Sequence, residues 1–280
     1  MIKGNPPVVS VIVPCYNQAN YLGEALGSVL AQSFESWECI VVNDGSIDDT
    51  EVVAEKFAQT DHRITYLYRE NSGLCNARNA GIQIARGEYI LPLDADDYIA
   101  EDYLKKAIEV FVENKRTALV YCLAHKFGAE NYPWEMPEFN YDLLLKGNMI
   151  FCSAIFRKTD FINAGMYDPA MIGGFEDWEL WIRLLSDNAI VTRLPATYFF
   201  YRVKESSMNR MPSKKVEELK YRIFLKHIEK YRSRFLSPIS LLEEIDLLKT
   251  IYKNSPDYKL GNALIAPLRK LYFTLKRYKK

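Results

Sequence analysis

Three aspartates crowd one short stretch, Asp94-Ala95-Asp96-Asp97, which follows an apolar run. Carboxylates about 4 Å apart repel one another by roughly 4 kcal/mol at an effective dielectric constant of about 20, so the stretch requires a compensating cation. Hard oxygen ligands suit Mg²⁺ or Mn²⁺, and Mg²⁺ is usually held by one or two carboxylates together with substrate phosphates. A helix N-cap would account for only one of the three aspartates. The stretch therefore predicts a divalent-cation site.

Two further carboxylates, those of Asp44 and Asp177, are candidates for ligand binding or catalysis. Asp44 ends an apolar run and precedes Gly45, which permits a tight turn, so its side chain is placed to accept hydrogen bonds from a base or a ribose. The alternative is an ordinary turn. Asp177 follows Glu176 at the start of a predicted helix, where it is either a general base or a complement to the helix dipole, worth about 0.3–1 kcal/mol.

The elements that position these residues follow from the hydrophobic pattern. From residue 8 to 122, short β-branched runs alternate with longer helical periodicities, which is typical of a parallel sheet covered by helices. We predict strands at 8–14, 37–43, 63–68, 88–93 and 117–122, and helices at 21–32, 49–59, 75–85 and 101–114. A further strand is predicted at 149–156, a helix at 176–185, one or two strands at 190–201, and helices from 214 to 280. Ligands of such sheets bind beyond the carboxyl ends of the strands, so the first half predicts a nucleotide-binding unit.

The composition narrows the class of protein. Lys+Arg and Asp+Glu both number 36 among 280 residues, which predicts no global attraction to nucleic acid. The five scattered cysteines indicate a reducing, cytoplasmic setting. We expect neither a leader peptide nor a stretch of about 18–20 apolar residues that would span a bilayer. Residues 269–280 mix apolar positions with Lys and Arg, which fits either peripheral contact with the inner face of the cell membrane or a solvated helix.

Several motifs together resemble those of the family-2 inverting glycosyltransferases of the GT-A fold. They are Ser10–Asn17, the Asn43–Ser46 turn, Asn76–Gly81, Gly87–Ile90, Asp94–Asp97 and Gly173–Trp181, in the expected order. The resemblance implies an α/β fold with a Rossmann-like, mostly parallel sheet, flanking helices and a helical C-terminal extension. It implies a catalytic domain at 1–210, divided into a nucleotide-binding half, 1–122, and an acceptor-binding half, 123–210, followed by the extension at 211–280.

The resemblance also implies roles for residues on the donor side. Pro14, Tyr16, Asn17 and Asp44 match positions that hold the nucleotide base, with Tyr16 stacking on the ring and Asp44 accepting an imide proton. Arg78 matches an arginine that approaches the diphosphate, although by its sequence context it is equally a solvated helix residue. Asp94 and Asp96 match donor-binding positions, and Asp96 and Asp97 match metal ligands for Mn²⁺ or Mg²⁺.

On the acceptor side, the resemblance implies that Asp177 is the base that deprotonates the acceptor hydroxyl. Glu176, Trp178 and Arg202 are further candidates for the acceptor site or for a polar loop at 201–208 that closes over the donor, although Trp178 also fits a buried core position.

The implied partners are a nucleotide-diphosphate sugar, with UDP favoured, and a carbohydrate or lipid-linked acceptor. The expected function is cell-surface polysaccharide or glycoconjugate synthesis. Two alternatives stay open: a catalytically silent nucleotide-sugar or carbohydrate-binding module, and a sugar nucleotidyltransferase. The second expects a Gly-rich triphosphate loop after the first strand, where this sequence has Pro14-Cys15-Tyr16-Asn17.

Overall fold

The structure is a computed structural model that describes residues 6–205, 212–235, 237–262 and 265. Its first half alternates strands and helices: β1 (Val9–Cys15), α1 (Ala19–Leu30), β2 (Trp37–Asp44), α2 (Thr50–Thr60), β3 (Ile64–Arg69), α3 (Leu74–Ile84) and β4 (Tyr89–Pro92). These bounds lie within two residues of those predicted from the sequence. The prediction succeeds for the central strands because β1 and β2 are short, β-branched runs that are buried along their whole length.

The elements that follow are shorter and less regular: β5 (Tyr98–Ile99), α4 (Tyr103–Glu113), β6 (Thr117–Gly128), β7 (Tyr132–Trp134), α5 (Tyr141–Lys146), β8 (Ile155–Arg157), α6 (Lys158–Asn163), α7 (Glu176–Leu184) and β9 (Ile190–Val203). The strand predicted at 149–156 is wrong over most of its length, because only its last two residues belong to β8. The strand predicted at 117–122 continues to Gly128, since β9 pairs with it along that whole length.

Within the described residues the strands form one nine-stranded sheet, in the order β3-β2-β1-β4-β8-β6-β9-β5, with β7 paired to β6. The pairs β1–β2, β1–β4, β2–β3 and β6–β9 are parallel, whereas β8 runs antiparallel to both of its neighbours. The predicted α/β class with a Rossmann-like, mostly parallel sheet is therefore confirmed. Helix α3 lies close against this sheet, since a Cβ on Gly81 would stand 2.7 Å from Ile12 Cγ2.

This topology brings the carboxyl ends of β1, β2 and β4 together at one edge of the sheet. Asp44 is the last residue of β2, and the aspartates at 94–97 begin two residues after β4. The amide of Leu93 donates to the carbonyl of Ile12 at 2.9 Å, which fixes this stretch beside β1. The sheet thereby gathers the acidic residues that the sequence analysis singled out.

The chain divides into two compact units, Met1–Lys226 and His227–Lys280. The first includes α8 (Ser213–Lys226), and the second contains α9 (Ile228–Arg232) and α10 (Pro238–Asn254). The division predicted at residue 210 stays a prediction. Among the described residues, no helix combines the length and the apolar character needed to cross a bilayer. The basic segment predicted to contact a membrane, 269–280, lies outside the described residues.

Candidate active site

The acidic turn, residues 94–97, is compensated by side chains from distant parts of the chain. A guanidinium nitrogen of Arg78 lies 2.6 Å from Asp94 Oδ1, and Lys204 Nζ lies 2.6 Å from Asp96 Oδ2. Lys204 Nζ also donates to Gln18 Oε1 at 2.7 Å. The positive charge that the acidic turn requires is thus partly supplied by the side chains of Arg78 and Lys204.

Asp97 is the buried member of this turn. Its Oδ1 accepts a hydrogen bond from the backbone amide of Arg202 at 2.8 Å, and its Oδ2 is buried without a hydrogen-bond partner among the described residues. Burial, followed by the charges of Asp96 and Asp94, raises the pKa of Asp97 well above its ordinary value. A buried carboxylate oxygen that lacks a partner would gain from a cation.

A divalent cation fits this turn on the chemistry of its donors. The carboxylates of Asp96 and Asp97 offer hard oxygen ligands, and Asp97 Oδ2 is still without a partner. No three or more His, Cys, Asp and Glu side chains form a metal-binding group within the described part of the chain. Two carboxylates alone suit a cation that completes its coordination with water and phosphate oxygens, as Mg²⁺ usually does.

Arg78 joins the acidic turn to the start of helix α7. Its side chain is 1% exposed, and one of its nitrogens donates to Glu176 Oε1 at 2.7 Å while another donates to Asp94. Arg78 also stands 5.3 Å from the ring centroid of Tyr167. It is therefore a buried bridge between two carboxylates and not a solvated helix residue.

Asp177 lies on the first turn of α7 beside Glu176, and it is partly buried. Asn148 Nδ2 donates to Asp177 Oδ2 at 2.9 Å, and the amide of Trp178 donates to Oδ1 at 2.7 Å. Burial, followed by the charge of Glu176, raises the pKa of Asp177 from 3.8 to about 7. A carboxylate that titrates near neutrality is suited to accept a proton from a hydroxyl at physiological pH.

Segment 148–152 carries contacts that no sequence pattern predicts. Asn148 bonds Asp177, the carbonyl of Ile150 accepts from Trp181 Nε1 at 3.0 Å, and Cys152 Sγ donates to Asp94 Oδ2 at 3.5 Å. Burial raises the pKa of the Cys152 thiol well above its usual range, so the thiol acts as a donor. No local pattern marks Asn148, because a single asparagine in an irregular region has no periodic signal.

The predicted base-binding residues lie at the ends of β1 and β2. Pro14 is buried in β1, whereas Tyr16 is 51% exposed, which leaves its ring free to stack. Asn17 has a φ of 53°, and its Oδ1 accepts from the amide of Ile47 at 2.9 Å. This hydrogen bond ties the loop after β1 to the loop after β2.

Asp44 is 3% exposed, and its carboxylate is held by residues of the segment that follows β3. The amide of Gly73 donates to its Oδ2 at 2.8 Å, and Arg69 Nε lies 3.3 Å from its Oδ1. The turn after Asp44 requires glycine, because Gly45 has a φ of 74° and a Cβ there would stand 2.7 Å from the amide of Asn71. Asp44 is thus fixed at the edge of the sheet, where the amide of Ser72 also contacts both of its carboxylate oxygens, at 3.2 and 3.3 Å.

The remaining candidates, Glu176, Trp178 and Arg202, have structural partners. Glu176 is buried against Arg78, and Trp178 is 3% exposed with its Nε1 donating to the carbonyl of Leu144 at 2.6 Å. Arg202 belongs to β9, and its Nε donates to the backbone carbonyl of Asp96 at 2.8 Å. Residues 206–208 of the predicted closing loop lie outside the described residues.

Solved structures share this architecture. S. aureus TarS 1–349 in complex with UDP-GlcNAc matches with a TM-score of 0.67 at 23% identity, over 78% of this chain and 65% of that one. The mannosyltransferase PcManGT of Pyrobaculum calidifontis, in complex with GDP-Man and Mn²⁺, matches with a TM-score of 0.58 at 18% identity, over 93% of this chain and 84% of that one. These likenesses confirm the GT-A fold.

The chain is also similar in sequence to bacterial proteins named as glycosyltransferases. The chain is 31% identical over 210 residues to RP339, an uncharacterized glycosyltransferase of Rickettsia prowazekii, covering 70% of this chain and 62% of the relative. It is 31% identical over 209 residues to TuaG of Bacillus subtilis, a putative teichuronic acid biosynthesis glycosyltransferase, covering 72% of this chain and 82% of TuaG. The chain spans less than two thirds of the length of several relatives that it matches.

The model of the glycosyl transferase family 2 matches residues 10–179, a range that contains the acidic turn, Arg78 and Asp177. Because this range covers more than half of the chain, it establishes what the motifs indicated. The chain belongs to glycosyl transferase family 2.

Proposed function

We propose that the protein is an inverting glycosyltransferase that moves a sugar from a nucleotide-diphosphate donor to an acceptor hydroxyl. One observation carries this proposal: a carboxylate with a pKa of about 7, Asp177, is connected through Glu176 and Arg78 to the acidic turn. An inverting displacement needs a base on one side of the anomeric carbon and a stabilised leaving group on the other. One end of this chain of contacts would supply the base, and the other would supply the site that stabilises the leaving diphosphate.

The proposed reaction has one step. Asp177 takes the proton of the acceptor hydroxyl, the hydroxyl oxygen bonds to the anomeric carbon, and the bond from that carbon to the diphosphate oxygen breaks with its electron pair. Asn148 orients Asp177 through its hydrogen bond. Asp96 and Asp97 would hold the divalent cation, Mn²⁺ or Mg²⁺, and that ion, when bound, would neutralise charge on the departing diphosphate.

The donor is proposed to be a UDP-sugar. Tyr16 would stack on the base, Pro14 and Asn17 would border it, and Asp44 would accept its imide proton. The bound UDP-GlcNAc of TarS supports the nucleotide, and the Mn²⁺ of PcManGT supports the cation. Asp94 would lie beside the diphosphate, with the Arg78 guanidinium 2.6 Å behind it.

We further propose that the pathway served is polysaccharide or glycoconjugate synthesis, which the name of the relative TuaG supports. A cytoplasmic location follows from the dispersed cysteines, which suit a reducing compartment. Peripheral membrane contact through residues 269–280 remains part of the proposal and would be tested by liposome co-sedimentation of a chain truncated after Pro267.

The test begins with a thermal-shift screen of nucleotide diphosphates and their sugars in Mn²⁺, since a ligand of the native state raises its apparent stability. Hydrolysis and transfer are then measured with the donors that bind, for the unmodified chain and for Asp177→Asn. Asp177→Asn removes proton acceptance and nearly preserves shape, so transfer should fall by at least about 100-fold while donor affinity stays within a few-fold. Binding without turnover would instead support a silent module, and full turnover in excess EDTA would refute the role of the metal.

A further inference from the structure

A set of aromatic side chains lies on strands β7 and β9, which are not among the strands that end at Asp44 and the acidic turn. Tyr132 and Trp134 come from β7, which pairs with β6, and Tyr201 comes from β9. Lys126 lies between the two β7 rings. We call these four residues the aromatic edge. Tyr132 is 44% exposed, and the other three are partly buried, so the set is open to solvent on one side and supported on the other.

The aromatic edge is held in place by its own contacts. The Lys126 ammonium donates to the Tyr132 hydroxyl at 3.0 Å, and it stands 4.9 Å from the centroid of the Tyr132 ring and 5.5 Å from that of Trp134. The Tyr132 hydroxyl donates to Glu130 Oε2 at 2.8 Å. The rings of Trp134 and Tyr201 have centroids 5.1 Å apart at 53°. Side chains fixed in this way lose little conformational entropy when a ligand binds.

Segment 148–152 connects the aromatic edge to the candidate active site. The Trp134 ring lies 6.2 Å from the ring of Phe151, and the adjacent Cys152 bonds Asp94. At the other end of the segment, Asn148 bonds Asp177. Three residues of chain span at most about 11 Å, so the aromatic edge begins within the length of a short oligosaccharide from the base.

A second connection runs along β9. Tyr201 is followed by Arg202, whose backbone amide bonds Asp97 Oδ1. Successive side chains of a strand point to opposite faces, so Tyr201 faces away from the Arg202 side chain. The ring of Tyr201 therefore lies on the face that carries Trp134 and Phe151, whereas the Arg202 guanidinium packs 4.8 Å from the centroid of Tyr21 in α1.

The chemistry of the aromatic edge fits a sugar ring. Tyr and Trp present an apolar ring and a polar atom, as a sugar presents an apolar face of C–H groups and a rim of hydroxyls. Lys126 and Glu130, whose charged atoms are 3.7 Å apart, offset one another and supply a donor and an acceptor without net charge. The indole of Trp134, which is partly buried, carries a further N–H donor.

We propose that the aromatic edge is the subsite for the acceptor and that the acceptor is therefore an uncharged carbohydrate. This inference rests on the proposed function. It favours a glycan over a charged or purely apolar acceptor, because the exposed rings and the paired charges of Lys126 and Glu130 match the C–H faces and hydroxyls of a sugar.

The first test uses fluorine NMR of the chain labelled with 5-fluorotryptophan. The protein has four tryptophans, and the three other than Trp134 are Trp37, Trp178 and Trp181, each at most 3% exposed. Cellotetraose, maltotetraose and chitotetraose are added as probes, and the Trp134 resonance is assigned from Trp134→Phe. At least one probe should move the Trp134 resonance in a saturable way and leave the other three in place. No movement with any of them overturns the proposal.

The second test measures transfer to the saccharide that binds. Trp134→Ala should raise the KM for that saccharide by about tenfold with a smaller change in kcat, which is the effect of losing one stacking interaction. Tyr221→Ala, at a ring 62% exposed on α8, is the matched control and should leave KM unchanged. An unchanged KM in Trp134→Ala overturns the inference about the acceptor subsite. The proposed function is judged separately, and hydrolysis of a sugar nucleotide by the unmodified chain upholds it. A chain that binds saccharide at Trp134 but neither binds nor hydrolyses any sugar nucleotide would refute both.

Discussion

The hydrogen bond from Asn148 to Asp177 offers a direct test of the proposed base. Asn148 Nδ2 donates to Asp177 Oδ2 at 2.9 Å, and this bond lowers the pKa of Asp177 against the larger effects of burial and of Glu176. The amide favours the ionised carboxylate because it donates to it. Asn148→Ala should therefore raise the pKa of Asp177 further above its present value of about 7.

The magnitude follows from the strength of the bond. A hydrogen bond to a charged group contributes about 1.5–3 kcal/mol, which corresponds to roughly 1–2 pH units. Asp177 is about half ionised at pH 7 in the unmodified chain. In the variant, the ionised fraction at pH 7 should fall to roughly 1–10%, so kcat should fall by about 5- to 50-fold there and recover as the pH rises.

The assay is the pH dependence of kcat between pH 5.5 and pH 9.5 at saturating donor. Asn140→Ala is the matched control, because Asn140 Oδ1 caps α5 by accepting from the amide of Leu143 at 3.0 Å. That variant should lose about 1 kcal/mol of stability and keep the acid limb of the unmodified chain. An Asn148→Ala profile that is lowered equally at every pH, with its midpoint unmoved, would show that Asp177 is not the titrating base.

Three further outcomes are expected. The pKa of Asp177 is raised from 3.8 to about 7 in the folded state, so the free energy of unfolding falls as the pH rises through that interval. Asp177→Asn should therefore raise the melting temperature at pH 8 by a few degrees and leave it unchanged at pH 3. Calorimetry that shows no gain at pH 8 would contradict this. Arg78→Met strands the buried carboxylate of Glu176 and should lower the free energy of unfolding by about 3–5 kcal/mol in urea titrations. Arg232→Met is the control, because Arg232 and its partner Glu229 are 69% and 78% exposed, and it should lower that free energy by about 1 kcal/mol or less. Equal losses in the two variants would refute the bridging role of Arg78. Lys204→Met removes the ammonium group beside Asp96. In the absence of nucleotide, this variant should bind Mn²⁺ several-fold more tightly, as electron paramagnetic resonance would measure. Weaker binding would exclude competition between Lys204 and the metal.

The parts of the fold that the sequence predicts are those encoded by local pattern. Strands β1 to β4 and their helices lie within two residues of prediction, because each is a periodic run bounded by turn residues. The prediction at 149–156 is wrong because Ile150 and Phe151 are apolar for a different reason: they are buried against other elements without pairing in the sheet. Periodicity reports burial and does not report what a residue is buried against.

The residues of the candidate site also differ in whether the sequence predicts them. The aspartates at 94–97 and Asp177 are visible in the sequence because carboxylates crowded together need an explanation. The burial of Arg78 and the contact of Asn148 with Asp177 are not visible, because each depends on a partner that lies respectively 98 and 29 residues along the chain. Such partners are fixed by how α7 packs against the sheet, and no local pattern encodes that packing.

The position of Arg78 between two carboxylates has one further consequence, for the coupling between the two substrate sites. Its guanidinium is shared between Asp94, in the proposed donor site, and Glu176, which adjoins the proposed base, Asp177. A phosphate that draws the guanidinium toward itself would leave Glu176 less neutralised and would make its neighbour hold a proton more tightly. Linkage is reciprocal, so deprotonating the base would in turn change the affinity for the nucleotide. Arg78 would thereby couple the protonation state of the acceptor site to the binding of the nucleotide.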